Sequence, residues 1–146
     1  MHTQQFSIDI QATPEQVWNT LWGDTTFRDW ASIIDEGTYL DGEVKEGNTV
    51  QFISSVNGYG VTSFIEKCVP NELVLFRHKK DTKDHGEGER EDEWSGGTER
   101  YVLEENGGTT TLTLTSEIPS ELKEIFEDRT PKALARIKVL AEGKQG

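Results

Sequence analysis

Cys68 is the sole cysteine, so no intrachain disulfide can form and the fold must rest on its core and its backbone hydrogen bonds. Cations are scarce: 15 Lys and Arg stand against 27 Asp and Glu, a net charge of -12. That field repels phosphate backbones and anionic head groups, which argues against nucleic acid and membrane surfaces as partners. No apolar run approaches the roughly 20 residues that span a bilayer. Met1-His2-Thr3-Gln4-Gln5 lacks the charged and apolar regions of a signal peptide, so a cytoplasmic location is expected. Histidine is limited to His2, His78 and His85, with no pair at metal-ligand spacing. No metal and no other cofactor is therefore expected. Only Lys67 stands beside Cys68 to lower its pKa, and the thiol reads as inert. Gly58-Tyr59-Gly60 lacks the Lys and the helix of a phosphate loop and reads as a hairpin.

What the chain does have is aromatic bulk and turns. Its 146 residues suit a single domain, 1–146, whose 4 Trp, 6 Phe and 3 Tyr offset a hydrophobic fraction of only 33%. Phe6, Ile8 and Ile10 alternate with polar residues, the period of a strand with one buried face. Thr13, Pro14 and Gln16 form a capping-box helix start, and Val17, Trp18, Leu21 and Trp22 then share a helical face up to Gly23. Asp24 caps a second short helix carrying Phe27, Trp30, Ala31 and Ile34. Turn signals at Asp41-Gly42, Gly47-Asn48, Asn57-Gly58 and Asn106-Gly107-Gly108 then separate strands. The expected strands are 38–40, 49–56, 59–69, 73–79, 98–105 and 109–117. The charged stretch from Lys79 to Glu93 has no apolar side chain and reads as an exposed, mobile loop. Pro119-Ser120 opens a helix with Leu122, Ile125 and Phe126. Thr130-Pro131 reads as a new start, followed by an apolar stripe of Ala133, Leu134, Ile137, Leu140 and Ala141. The order β-α-α-β6-α gives an α+β domain in which a curved antiparallel meander holds the C-terminal helix on its concave face.

A curved sheet and one helix leave space between them. The expected ligand-binding lining is Trp30, Phe52, Phe64, Phe76, His78, Trp94, Tyr101, Leu112, Leu114, Phe126, Leu134 and Ile137. Ordinary core packing accounts for any one of these. Arg77, His78, Glu99, Arg100 and Tyr101 are the polar candidates, and alternation forbids Arg77 and His78 from both facing in. The carboxylates Glu87, Glu89, Glu91, Asp92 and Glu93 sit in a solvated stretch without the shelter that acid–base work needs. That stretch has the length and glycine content of a flap over the cavity.

The opening Phe6-Ser7-Ile8-Asp9-Ile10-Gln11-Ala12-Thr13-Pro14-Glu15-Gln16-Val17-Trp18 resembles the start of the START-like, or SRPBCC, superfamily. Asp29-Trp30, Gly47 before Val50 and Phe52, Gly60 before Phe64, Val69-Pro70-Asn71-Glu72-Leu73 and Thr98-Glu99-Arg100-Tyr101-Val102-Leu103 continue the likeness. Gly108-Thr109-Thr110 before Leu112 and Leu114, then the last helix, complete it. The nearest look is to the branch of the activator of heat-shock-protein-90 ATPase homologues. The resemblance implies the helix-grip fold of the birch pollen allergen, lipid-transfer domains and polyketide aromatases. The first function it implies is binding or carrying an apolar small molecule: a lipid, an aromatic or a polyketide-like compound. A cyclase-, aromatase- or hydrolase-type enzyme in the same cavity is the second, and a chaperone-accessory interaction domain the third. An edge strand would allow a homodimer or a protein partner, but no feature calls for either.

Overall fold

The computed structural model describes residues 1–91 and 93–143. Its elements are β1 (His2–Ile10), α1 (Pro14–Trp22), α2 (Asp24–Ile34), β2 (Thr38–Asp41), β3 (Thr49–Ser54), β4 (Gly60–Val69), β5 (Leu73–Lys83), β6 (Gly88–Glu89), β7 (Thr98–Asn106), β8 (Thr109–Ile118) and α3 (Lys123–Ala141). A 3-10 turn, Ser120–Leu122, leads into α3. The sheet is antiparallel in the order β1-β8-β7-β5-β4-β3-β2, with β6 paired to β5. This is the meander the alternation predicts, with β1 added beside β8.

Local chemistry sets the frame. The Thr13 hydroxyl accepts from the Gln16 backbone N–H at 3.2 Å, and the Thr13 N–H donates to Gln16 Oε1 at 2.9 Å, closing the capping box of α1. On β8, Thr110, Leu112, Leu114, Ser116 and Ile118 are buried, while Thr111, Thr113 and Thr115 face outward. Those outward threonines bond Asp9, Ser7 and Gln5 of β1 in a polar ladder. Register shifts in the β4–β5 pairing, between Thr62 and Ser63 and between Ile65 and Lys67, increase the local twist and bend of the sheet. Gly60 is the tight point of that region: a Cβ there would stand 2.1 Å from the Phe52 carbonyl oxygen.

Three expectations need correction. The Lys79–Glu93 stretch is not a loop throughout. β5 continues to Lys83, and Gly88–Glu89 pairs back onto it. Asp81 and Thr82 are buried, and the Gly86 carbonyl accepts from Gln51 Nε2 at 3.1 Å, so the hairpin folds against β3. Polarity misleads here because Asp81 is held by backbone N–H groups rather than by water. Asp92 of the carboxylate run lies outside the described residues. The second correction is that no new helix begins at Thr130-Pro131. α3 runs through Pro131. Pro131 and Glu127, whose carbonyl loses its N–H partner, are both exposed, so solvent satisfies that carbonyl and the helix survives. The third is at α2, where Gly23 rather than Asp24 is the N-cap.

The core lies between the concave sheet face and the helices. Half-buried Trp22 packs against it, its ring centroid 4.9 Å from Tyr101 and 5.3 Å from Phe76. Leu112, Leu114, Leu134 and Ile137 fill the space beneath α3, each at most 3% exposed.

Candidate ligand-binding site

A cavity of about 180 Å³ remains where α2 and the start of α3 lift away from β3, β5 and β7. For scale, a void of roughly 150 Å³ accommodates benzene. α2 turns Phe27, Trp30, Ala31 and Ile34 toward it, and α3 contributes Phe126. Phe52 and Ser54 come from β3, His78 from β5, and Glu99 and Tyr101 from β7. Asp35, Thr38, Tyr59, Gly60, Val61, Arg90 and Trp94 complete the lining.

Strand parity explains the polar wall. On β5, Val74, Phe76 and His78 face in, while Arg77 faces out and pairs with Glu66. The register shift after Thr62 brings Ser63 opposite His78. Ser63 Oγ and His78 Nδ1 lie 2.7 Å apart, and the Trp94 ring packs edge-on at 5.6 Å. Burial pushes His78 down to about 4, against a smaller upward pull from the Glu117 charge. The imidazole is therefore neutral at physiological pH.

Glu99 and Tyr101 are two residues apart on β7 and share the inward face. Burial raises Glu99 from 4.5 to about 7, opposed by a hydrogen bond from the Tyr101 hydroxyl. Tyr101 is raised well above 10, first by burial and then by the Glu99 charge and their hydrogen bond. The tyrosine stays a donor, and the carboxyl sits near its titration point at neutral pH.

Arg90 is largely engaged elsewhere. Its Nε donates to the Thr82 carbonyl at 2.7 Å, and Nη1 lies 3.6 Å from buried Asp81. Its guanidinium covers the Tyr59 ring at 4.9 Å. Asp81 in turn accepts the backbone N–H groups of Glu93 and Trp94 at 3.1 Å each. Burial raises Asp35 at the cavity edge, with nearby Arg129 lowering it in part. Among the described residues, no three His, Cys, Asp or Glu side chains gather at a metal-binding distance.

Of the residues singled out in the sequence, Trp30, Phe52, His78, Trp94, Tyr101 and Phe126 line the cavity. Phe64, Phe76, Leu112, Leu114, Leu134 and Ile137 do not. Phe64 faces the other side of the sheet, where the Lys79 ammonium lies 5.9 Å from its ring. Phe76 is fully buried behind Phe52 and Tyr101. The four aliphatic residues belong to the packed core, each at most 3% exposed. Of the polar candidates, Glu99 faces in, while Arg77 and Arg100 do not line the cavity. Phe27, Ala31 and Ile34 were legible as the stripe of α2 but not as cavity wall. Arg90 carried one signal, as the only arginine in an acidic stretch.

The family profile of the activator of Hsp90 ATPase homolog 1-like proteins matches residues 11–142. The chain belongs to that family. Its fold is that of the Aha1 dimer from Colwellia psychrerythraea, with 20% identity, all of both chains covered and a TM-score of 0.75. CalU16 from Micromonospora echinospora shares 17% identity over 99% of this chain and 76% of its own, with a TM-score of 0.63. DynU16, a protein of the dynemicin biosynthetic locus, shares 14% identity over 97% of this chain and 48% of its own, with a TM-score of 0.66. At these identities the likeness is one of fold, the helix grip. No curated protein matches the chain. No helix among the described residues is long and apolar enough to cross a membrane.

Proposed function

We propose that this family member binds or carries a small, ring-containing apolar molecule in the cavity between α2, the start of α3 and the sheet. The observation behind this reading is a space of about 180 Å³, walled by Phe27, Trp30, Phe52, Trp94, Tyr101 and Phe126, in a fold that packs its other end tightly. Apolar contact supplies affinity, and Glu99, Tyr101 and His78 supply orientation. The association of DynU16 with a biosynthetic locus fits a small-molecule role. A cytoplasmic setting goes with this reading, since Cys68 leaves the fold independent of oxidation. A homodimer like that of the Colwellia relative would be compatible if the cavity mouth stays open.

The test is uptake of a neutral one-ring probe, toluene, read by protein NMR shifts, together with native mass spectrometry of gently purified protein. Uptake by the wild type and its loss in Ala31→Leu, which fills the cavity, are expected. A wild type that takes up no probe and carries no bound small molecule would end the reading.

One observation favours a second reading, a cyclase-, aromatase- or hydrolase-type enzyme. Glu99, Tyr101 and neutral His78 face one sheltered space, and a carboxyl near neutrality can accept or return a proton. On this reading Glu99→Gln abolishes turnover of a neutral polyketide-like or ester substrate, a loss far larger than any change in its binding. The chaperone-accessory reading draws on the family name alone.

A further inference from the structure

The charged side chains that line the cavity are Asp35, Arg90 and Glu99. Arg90 is answered by Asp81 and two backbone carbonyls, the second being Gly60 at 3.4 Å. Asp35 is answered in part by Arg129, which also donates to the Ile34 carbonyl at 2.8 Å. Glu99 has the Tyr101 hydroxyl and, among the described residues, no cation in contact. Trp30, Phe52 and Tyr101 line the same cavity as Glu99, with the Trp30 and Tyr101 centroids 6.4 Å apart. Ring faces attract cations, and a desolvated carboxylate attracts them more strongly. An anionic ligand would meet Glu99 and Asp35 inside a chain of net charge -12.

Resting on the binding reading above, we propose that the cavity selects an aromatic ligand bearing a protonated amine, with Glu99 as its counter-charge and the aromatic lining of the same cavity as its apolar contact. This separates the site from one for fatty acids or other carboxylates. Binding such a cation holds Glu99 in its ionised form, whereas a neutral hydrogen-bond acceptor would hold it protonated. The two ligand classes are thus told apart by the charge they place beside one oxygen atom.

The experiment compares three compounds of nearly equal size: benzylamine, benzyl alcohol and benzoate. Affinities are read by protein NMR shifts at pH 7.5 in 0.3 M salt, where general attraction to an acidic surface is screened. The amine is expected to bind about tenfold more tightly than the alcohol, and benzoate weakest. In Glu99→Gln the amine–alcohol ratio should fall to about one, with a preserved NMR spectrum of the variant as evidence that the fold persists. An amine no tighter than the alcohol, or a preference that survives Glu99→Gln, overturns the inference and leaves the binding reading standing. Benzoate as the tightest ligand of the wild type overturns it without any variant. Failure of all three compounds and of the neutral probe overturns both.

Discussion

Beneath the C-terminal turns of α3, the groove is filled by Leu112, Leu114, Leu134 and Ile137, all carbon and all dry. Beneath α2 and Phe126, the same groove holds an imidazole, a carboxyl, a tyrosine hydroxyl and empty space. Trp22, Phe76 and Tyr101 stand between the two. The filled end returns stability for every side chain it buries. The open end holds His78 away from water and Glu99 half-buried, where their charged forms are penalised, and leaves volume unused. A fold that packs well at one end and keeps costly polar groups at the other points to function at the second.

The comparison is broken most directly by truncating one ring from each end. Phe76→Ala should lower unfolding stability by about 3–5 kcal/mol, since a fully buried ring leaves a cavity its neighbours cannot close. Phe126→Ala, at the half-buried cavity wall, should cost about 1 kcal/mol or less. Urea denaturation of both variants checks this. Equal losses would mean that the two ends are equally packed.

The next largest effect depends on pH. Glu99 titrates near 7 in the fold and near 4.5 when unfolded, so the folded state binds more protons between those values. Its contribution therefore falls as pH rises from 4.5 to 7, by up to about 3 kcal/mol. His78 titrates near 4 in the fold and 6.5 when unfolded, so its contribution falls as pH drops from 6.5 to 4. The two slopes oppose each other across the shared window. Glu99→Gln should raise stability at pH 8, change little at pH 4, and expose the rise with pH that belongs to His78. Urea midpoints at pH 4, 5.5, 7 and 8 read this. A variant whose profile parallels the wild type would mean that Glu99 titrates alike in the folded and unfolded states.

The two ends also differ in how far the sequence discloses them. Alternation on β8 and the helical stripe from Ala133 to Ala141 mark the filled end, because burial there follows one simple period. The open end draws on α2, β2, β3, the hairpin around Arg90, β7 and the start of α3, and no single period spans those pieces. Parity on β5 limited the inward choice to Arg77 or His78, but only the register shift in β4 shows His78 facing Ser63. Charge hid Asp81, fully buried, and Arg90, half-buried, which pair with each other and with the backbone. The aliphatic residues Leu112, Leu114, Leu134 and Ile137 looked like cavity wall because periodicity reports which face is buried, not whether that face meets a void.

A smaller effect sharpens the contrast by adding volume. Ala133→Leu at the filled end should cost about 1–3 kcal/mol, because its neighbours have nowhere to move. Ala31→Leu points into the cavity and should be neutral or slightly stabilising while blocking probe uptake. Thermal melts beside probe titrations separate the two. Should Ala31→Leu destabilise as much as Ala133→Leu, the cavity is too small to matter.

The smallest effect concerns the clamp between α2 and α3, which roofs both ends. Arg136 grips Asp29 with two bonds, Nε to Oδ1 at 2.8 Å and Nη2 to Oδ2 at 2.9 Å. Their side chains are 33% and 37% exposed, so solvent screens the pair and Arg136→Ala should cost little stability. The hydrogen bond from Arg136 holds the Asp29 carboxyl below its ordinary 3.8, against a smaller opposing effect of burial. The stabilising share is therefore present above that value and lost as pH falls through the lower folded one. The wild type and Arg136→Ala should differ slightly at pH 7, less in 1 M salt, and converge at strongly acid pH. A loss of several kcal/mol, or one indifferent to salt and acid, would mean that the α2–α3 contact depends on the packing of the Arg136 stem rather than its charge, and that the roof is anchored as firmly over the cavity as over the core.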